Sequence, residues 1–301
     1  MTRLHTLPPT EQIYRSHVPL QYDGFSIEKY FAARFSYQDE EEWSRQIVAG
    51  KIMVNGRVAL VGQKLSASDL TITNAGFRIE PAADRTLKVI YEDKYIRAFN
   101  KRAPIPVHPC GRYFKNSMTE ILKQVYPAEV PRPIQRLDVT TTGVIVFART
   151  QKAAAFLMQE FKQNRIDKEY FALVVGVPQS KQFIIDKSIG KLKASKRIAG
   201  DEIPGSQSAR TDVEWLTSIN DRSLLRVIPR SGRTNQIRVH LASVGLPICN
   251  DSIYGRGKVS DLEFNLHHRC MKFRCFDTQI QLTAICPPHF QPYVNKIEEK
   301  K

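Results

Sequence analysis

The sequence predicts an α+β fold of mainly antiparallel strands, preceded by a small α/β module. Two observations carry this reading: short hairpin turns at Asn55-Gly56 and Asn220-Asp221, and helices placed irregularly between strand pairs rather than after every strand. Regular alternation of strand and helix, the mark of a parallel sheet, is missing. The 301 residues suit one sizeable domain with a smaller companion.

The expected order begins with an N-terminal extension, residues 1–24. A module follows at 25–83, with a helix in FSIEKYFAARF and a second in which Trp43, Ile47 and Val48 recur at helical spacing. Gly50 stands at the C-cap position, Lys51 to Val54 reads as a strand, and Asn55-Gly56 turns it back at Val58. Pro81 to Asp84 reads as a linker, so the main domain is expected at 84–301.

In that domain LKVIYEDKYIRAFNK gives two strands about the acidic turn Glu92-Asp93. A helix is expected from Ser117 to Tyr126, opened by a capping box of Ser117 and Glu120. Gly143 to Ala148 reads as a strand, Gln151 to Gln163 as a helix, and Lys168 to Val175 as another strand. Lys187 to Arg197 is read as an exposed basic loop. Asp212 to Ile219 and Ser223 to Ile228 form a hairpin, and the helix of QIRVHLASVG follows the loop SGRTN.

Charge narrows the function. Lys and Arg number 45 against 30 Asp and Glu, a formal +15, which points to a polyanionic partner. Nucleic acid fits better than a membrane, since no apolar run approaches the roughly 18–20 residues that span a bilayer. MTRLHTLPPTEQIYRSH has no apolar signal core, so the cytoplasm is the expected compartment. The five scattered cysteines read as reduced thiols, and a monomer is the default.

Three clusters carry candidate chemistry. In QRLDVTTTG, Arg136 and Asp138 precede a strand, a position where a loop is held still; taken alone, such a cluster is more often a stabilising turn than an active site. In DKEY, alternation places Lys168 and Tyr170 on one strand face. In SGRTNQIRVH, Arg233 lies in a loop, and Arg238 and His240 on the helix after it. His267, His268, Cys270, Cys275 and Cys286 lack common zinc spacing, and CMKFRCFDTQIQL alternates as strands do, so no metal is expected.

Together and in this order, QRLDVTTTG, KEYFALVVG and GRTNQIRVH resemble the RluA family of pseudouridine synthases, whose motifs run HRLDxxTSG, KxYxAxVxG and GRTHQIRVH. The resemblance extends over YEDKYIRAFNK, LPICNDSIYG and NLHHRCMKF, and WSRQIVAGKIMVNGRV resembles an S4-type RNA-binding module. It implies isomerisation of uridine in ribosomal or transfer RNA, without cofactor or metal. Asp138 would be the catalytic carboxylate, Arg233 its partner, and Tyr170 the ring on the uracil and a candidate acceptor of the C5 proton. Arg136 would enter the RNA stack, while Lys168, Arg238, Lys191, Lys193, Lys196 and Arg197 would bind RNA. Gln135, Thr142 and Asn235 depart from the motifs, standing for His, Ser and His. A non-catalytic RNA-binding protein is the alternative.

Overall fold

A computed structural model describes residues 4–35, 38–193, 196–255 and 264–299 of the chain. It divides into two compact units, one of Thr6–Pro81 and one of Ala82–Lys301 with Met1–His5.

In the smaller unit β1 (Thr10–His17) is followed by α1 (Ile27–Arg34), α2 (Glu40–Val48), β2 (Ile52–Val54), β3 (Arg57–Val58) and β4 (Leu70–Arg78). The sheet order is β1-β4-β2-β3. Asp39 caps α2 by accepting from the Glu42 amide at 2.8 Å. Its Trp43 and Ile47 pack on Ile27, Tyr30 and Phe31 of α1, with the Phe31 and Trp43 rings 4.7 Å apart. Residues 6–24 fall within this unit: β1 pairs antiparallel along β4, and Gln12 and Val18 are buried.

The larger unit contains β5 (Val89–Glu92), β6 (Ile96–Lys101), α3 (Met118–Val125), β7 (Arg132–Pro133), β8 (Thr142–Ala148) and α4 (Gln151–Lys162). Next come β9 (Asp167–Val175), β10 (Gln182–Asp186), β11 (Ile189–Lys193), β12 (Lys196–Ala199), β13 (Arg210–Ile219), β14 (Arg222–Pro229) and α5 (Gln236–Ser243). β15 (Leu266–Cys275), β16 (Thr278–Thr283) and α6 (Gln291–Glu298) end it. The ten-stranded sheet runs β10-β13-β14-β9-β15-β8-β6-β5, with β16 on β15 and β7 on β8. All its pairings are antiparallel except β15 with β8.

β8 is buried along its whole length because both faces are covered. Val144 and Val146 meet Ala153 and Leu157 of α4, while Ile145 and Phe147 meet Ile121 and Leu122 of α3. On the other half of the sheet, Ile237 and Leu241 of α5 pack over Ala172, Val174, Leu225 and Val227.

Two local expectations change. Lys187 to Arg197 is not an irregular loop: β11 and β12 form an antiparallel hairpin, with Gly190 packed against Ile203. Ser117 makes no capping box, since its hydroxyl donates to the Phe114 carbonyl at 2.9 Å. Among the described residues no helix is long and apolar enough to cross a membrane.

Candidate active site

The loop before β8 alternates exposed Arg136, buried Leu137 and half-buried Asp138. Leu137 is its anchor, packed in the cluster of Ile105, Val107 and Phe147, and this turns its neighbours outward. The Thr141 amide closes a turn onto the Asp138 carbonyl at 3.1 Å, and the Ile105 amide holds the Val139 carbonyl at 3.0 Å. Beneath the loop lies Lys101, only 1% exposed. Its Nζ faces the carbonyls of Arg102, Asp138, Val139 and Thr141 at 3.0, 3.1, 3.1 and 2.7 Å. Burial pulls the Lys101 ammonium down to about 7, against the opposing pull of the Asp138 and Asp84 carboxylates.

The threonines divide between loop and strand. Thr140 is exposed, Thr141 is buried, and Thr142 Oγ1 meets His267 Nδ1 at 2.8 Å. Gly143 is required by close approach: its φ is +109°, and a Cβ there would stand 2.2 Å from the His268 carbonyl oxygen on the parallel strand β15.

Arg238 holds the Asp138 carboxylate. From α5 its Nη1 donates to Asp138 Oδ2 at 2.8 Å, while Nε and Nη2 grip both oxygens of Asp251, also at 2.8 Å. Asp251 is fully buried and takes the Ile253 and Tyr254 amides at 2.9 and 3.0 Å. Burial works against both charges. For Arg238 the bonds to Asp251 and Asp138 more than offset it, raising its pKa; for Asp251 the Arg238 guanidinium does so, lowering its pKa. Asp138 keeps 41% of its side chain exposed, so the held carboxylate still faces outward.

Tyr170, on the central strand β9, lies half-buried and stacks on His268 with ring centroids 4.4 Å apart. Burial, and then the Asp138 charge, raise its phenol above the ordinary tyrosine value. The phenol therefore stays protonated beside the carboxylate.

Sequence reasoning paired Asp138 with Arg233, and the structure corrects this. Arg233 Nε donates to the Ser208 carbonyl at 3.1 Å, because its loop points it towards β13 rather than the carboxylate. Arg238, expected as an RNA contact, is buried in the ion pairs instead. Lys168 is half-buried, its ammonium 5.9 Å from the Phe161 ring centre. Lys191 and Lys196 are exposed, and the Arg197 amide donates to Tyr254 Oη at 2.8 Å. The Lys193 side chain falls outside the described residues. Lys101, Asp251 and His268 were missed as site residues; a lysine closing the apolar strand IRAFNK was the one available signal. Among the described residues no three His, Cys, Asp or Glu side chains gather as a metal-ligand group.

Comparison with known proteins bears on this geometry. A family model described as RNA pseudouridylate synthase matches residues 95–243, which contain Asp138, Tyr170 and Arg238. Ribosomal large subunit pseudouridine synthase D of Vibrio cholerae is 33% identical over 229 residues, covering 73% of this chain and 69% of its own. This chain belongs to the RluA-type family of RNA pseudouridine synthases. The mitochondrial tRNA pseudouridine(32) synthase of Saccharomyces cerevisiae is 31% identical over 260 residues, 85% of this chain. The match spans just over half, 56%, of that relative. The solved human RNA Pseudouridylate Synthase Domain Containing 1 superposes with a TM-score of 0.62 over 72% of this chain and 90% of its own; at 22% identity this shows the shared fold.

The three departures from the family's motifs have physical places. Thr142 keeps a hydroxyl against His267. Asn235 takes the left-handed conformation at the start of α5, φ 57°, and its Nδ2 donates to Tyr254 Oη at 3.1 Å. Gln135 Nε2 reaches the Val144 carbonyl at 3.4 Å and Met271 Sδ at 3.6 Å.

Proposed function

We propose that this chain isomerises uridine to pseudouridine in RNA, with Asp138 as the catalytic carboxylate. One observation carries the reading: a partly exposed aspartate, held by a buried arginine, lies within electrostatic reach of a half-buried tyrosine ring. Isomerisation breaks the bond from uracil N1 to C1′, turns the base and joins C5 to C1′, after which the C5 proton leaves and N1 gains one, so that the product is an isomer. Neither electrons nor a phosphoryl group are transferred overall. Asp138 would act at the ribose, as nucleophile at C1′ or as base on a neighbouring proton. Arg238 would hold the carboxylate aimed through its Nη1 hydrogen bond, and Tyr170 would offer the base a flat apolar face.

The target nucleotide must leave its stack, at a cost of a few kcal/mol. Arg136, which is exposed, would fill the gap, and the cations of the β11–β12 hairpin would contact phosphates that offset the cost. The substrates proposed are ribosomal or transfer RNA, met by a monomer in the cytoplasm, where the free thiols suit a reducing milieu. Thr6–Pro81 is proposed as an S4-like RNA-binding module.

Asp138→Asn tests the assignment. Pseudouridine formation on RNA transcripts should disappear, while RNA binding by filter retention stays within about twofold, because the isosteric amide removes the charge without adding bulk. Normal turnover by the folded variant would sink the assignment. A wild-type chain that binds RNA and forms no pseudouridine would favour the non-catalytic reading.

A further inference from the structure

His268 is fully buried on β15, and its ring lies nearly parallel to Tyr170, with an interplanar angle of 11°. The cross-strand register fixes both partners, setting His268 opposite Tyr170 on β9 and beside Gly143 on β8. Nδ1 lies 2.7 Å from the Val144 carbonyl, and since a carbonyl only accepts, the proton sits on Nδ1. Nε2 is then a buried acceptor, without a hydrogen-bond partner among the described residues. Burial keeps this imidazole neutral, outweighing the opposing pull of the Val144 hydrogen bond.

A phenylalanine would fill the same place without burying an unpaired nitrogen. What histidine adds is the Nδ1–H bond, which sets the plane of its ring. The same Val144 carbonyl also receives Gln135 Nε2, whose amide oxygen is buried and unpaired among the described residues. Position 135 is where the family's motif carries histidine. One carbonyl therefore meets two side chains: the residue replacing the motif histidine, and a histidine arriving from β15.

We infer that His268 is a positioning residue for Tyr170, and that in this chain an imidazole on the Val144 carbonyl comes from position 268 because position 135 holds glutamine. The bond to Val144 sets the imidazole plane, and the imidazole sets the plane in which Tyr170 receives the uracil on its other face. The role in turnover rests on the proposed function; the exchange of positions does not.

The experiment compares wild type, His268→Ala, Gln135→His and the double variant Gln135→His/His268→Ala in pseudouridine formation on an RNA transcript and in thermal unfolding. His268→Ala should lower kcat about tenfold, as expected for losing an oriented aromatic pair, with KM within about twofold. It should also melt roughly 5 °C lower, as a core truncation does. The double variant should return to within about threefold of wild-type kcat and regain most of the melting temperature, while Gln135→His alone, which crowds two imidazoles onto one carbonyl, should not surpass wild type.

Wild-type kcat in His268→Ala overturns the inference, as does a double variant that melts like wild type but turns over no faster than His268→Ala. If His268→Ala does not fold, the double variant decides alone, and its failure to fold also overturns the exchange. A wild type that forms no pseudouridine sinks the proposed function, while the melting temperatures still decide the exchange.

Discussion

Arg238 and Lys101 lie buried around the loop that carries Asp138, whereas Lys191 and Lys196 stand exposed on the β11–β12 hairpin. All four are cations in a basic chain, and their surroundings give them different work. The guanidinium of Arg238 is committed to two carboxylates, and the ammonium of Lys101 to loop carbonyls. Removing Arg238 leaves the buried Asp251 carboxylate without its partner, and removing Lys101 does the same to the loop carbonyls beneath Asp138. The hairpin lysines are hydrated and screened, so their loss weakens attraction to phosphate and leaves the fold alone. Net charge thus points to a polyanionic partner, while burial decides which cation holds Asp138.

The largest break in this contrast is expected at Arg238. In Arg238→Lys a single ammonium replaces a planar fork that spans Asp138 and Asp251, so kcat should fall about a hundredfold, the equivalent of about 3 kcal/mol. Single-turnover rates at saturating RNA measure it. A variant within about threefold of wild type would show that the fork is not what aims Asp138.

Lys101 sharpens the contrast through pH. Unfolded, a lysine titrates near 10.4, whereas burial brings Lys101 to about 7. Between these values the unfolded chain binds more protons than the folded one, so folding stability rises with pH across this window. The rise is at most about 1.4 kcal/mol per pH unit. Below about 7 both states are protonated and the slope vanishes. Urea midpoints from pH 7 to 9.5 should climb in wild type relative to Lys101→Met; parallel curves would mean that Lys101 does not titrate there.

The hairpin should answer differently. Lys191→Ala/Lys196→Ala should raise KM for RNA about tenfold near physiological salt and flatten its salt dependence by up to about 0.9 per lost phosphate contact. At saturating RNA kcat should be unchanged. A fall in kcat with KM constant would place the hairpin in the aiming of Asp138 and erase the distinction.

Much of this was legible from local chemistry. Asn55-Gly56 forced a turn because both residues take positive φ, and the all-apolar run at Gly143 to Ala148 required a strand covered on both faces. The loop at Asp138 was legible as a motif. What the loop rests on was not: Lys101 is 37 residues away and Asp251 is 113, and neither spacing carries a signal of its own. The 187–197 segment was misread because lysines dominate it, while its strand character comes from pairing across the hairpin. β1 was missed for the same reason, since its partner β4 begins more than 50 residues later.

Choosing between two arginines in one motif was the subtlest failure, and it sets the smallest expected effect. Arg233 and Arg238 are five residues apart, but one is in the loop and the other has entered α5, so they point to different places. Arg233 is bound through Nε to Ser208, and its amide donates to Gln236 Oε1 at 3.0 Å, a contact any residue at 233 can make. Arg233→Lys should therefore change kcat by less than about threefold, the scale of one neutral-acceptor hydrogen bond at a half-exposed site. If Arg233 touches RNA phosphate, a lysine there still supplies the charge, so KM should also move little. A loss as large as that of Arg238→Lys would mean that the loop swings Arg233 onto Asp138 when RNA binds, and the carboxylate would then be held by two arginines in turn.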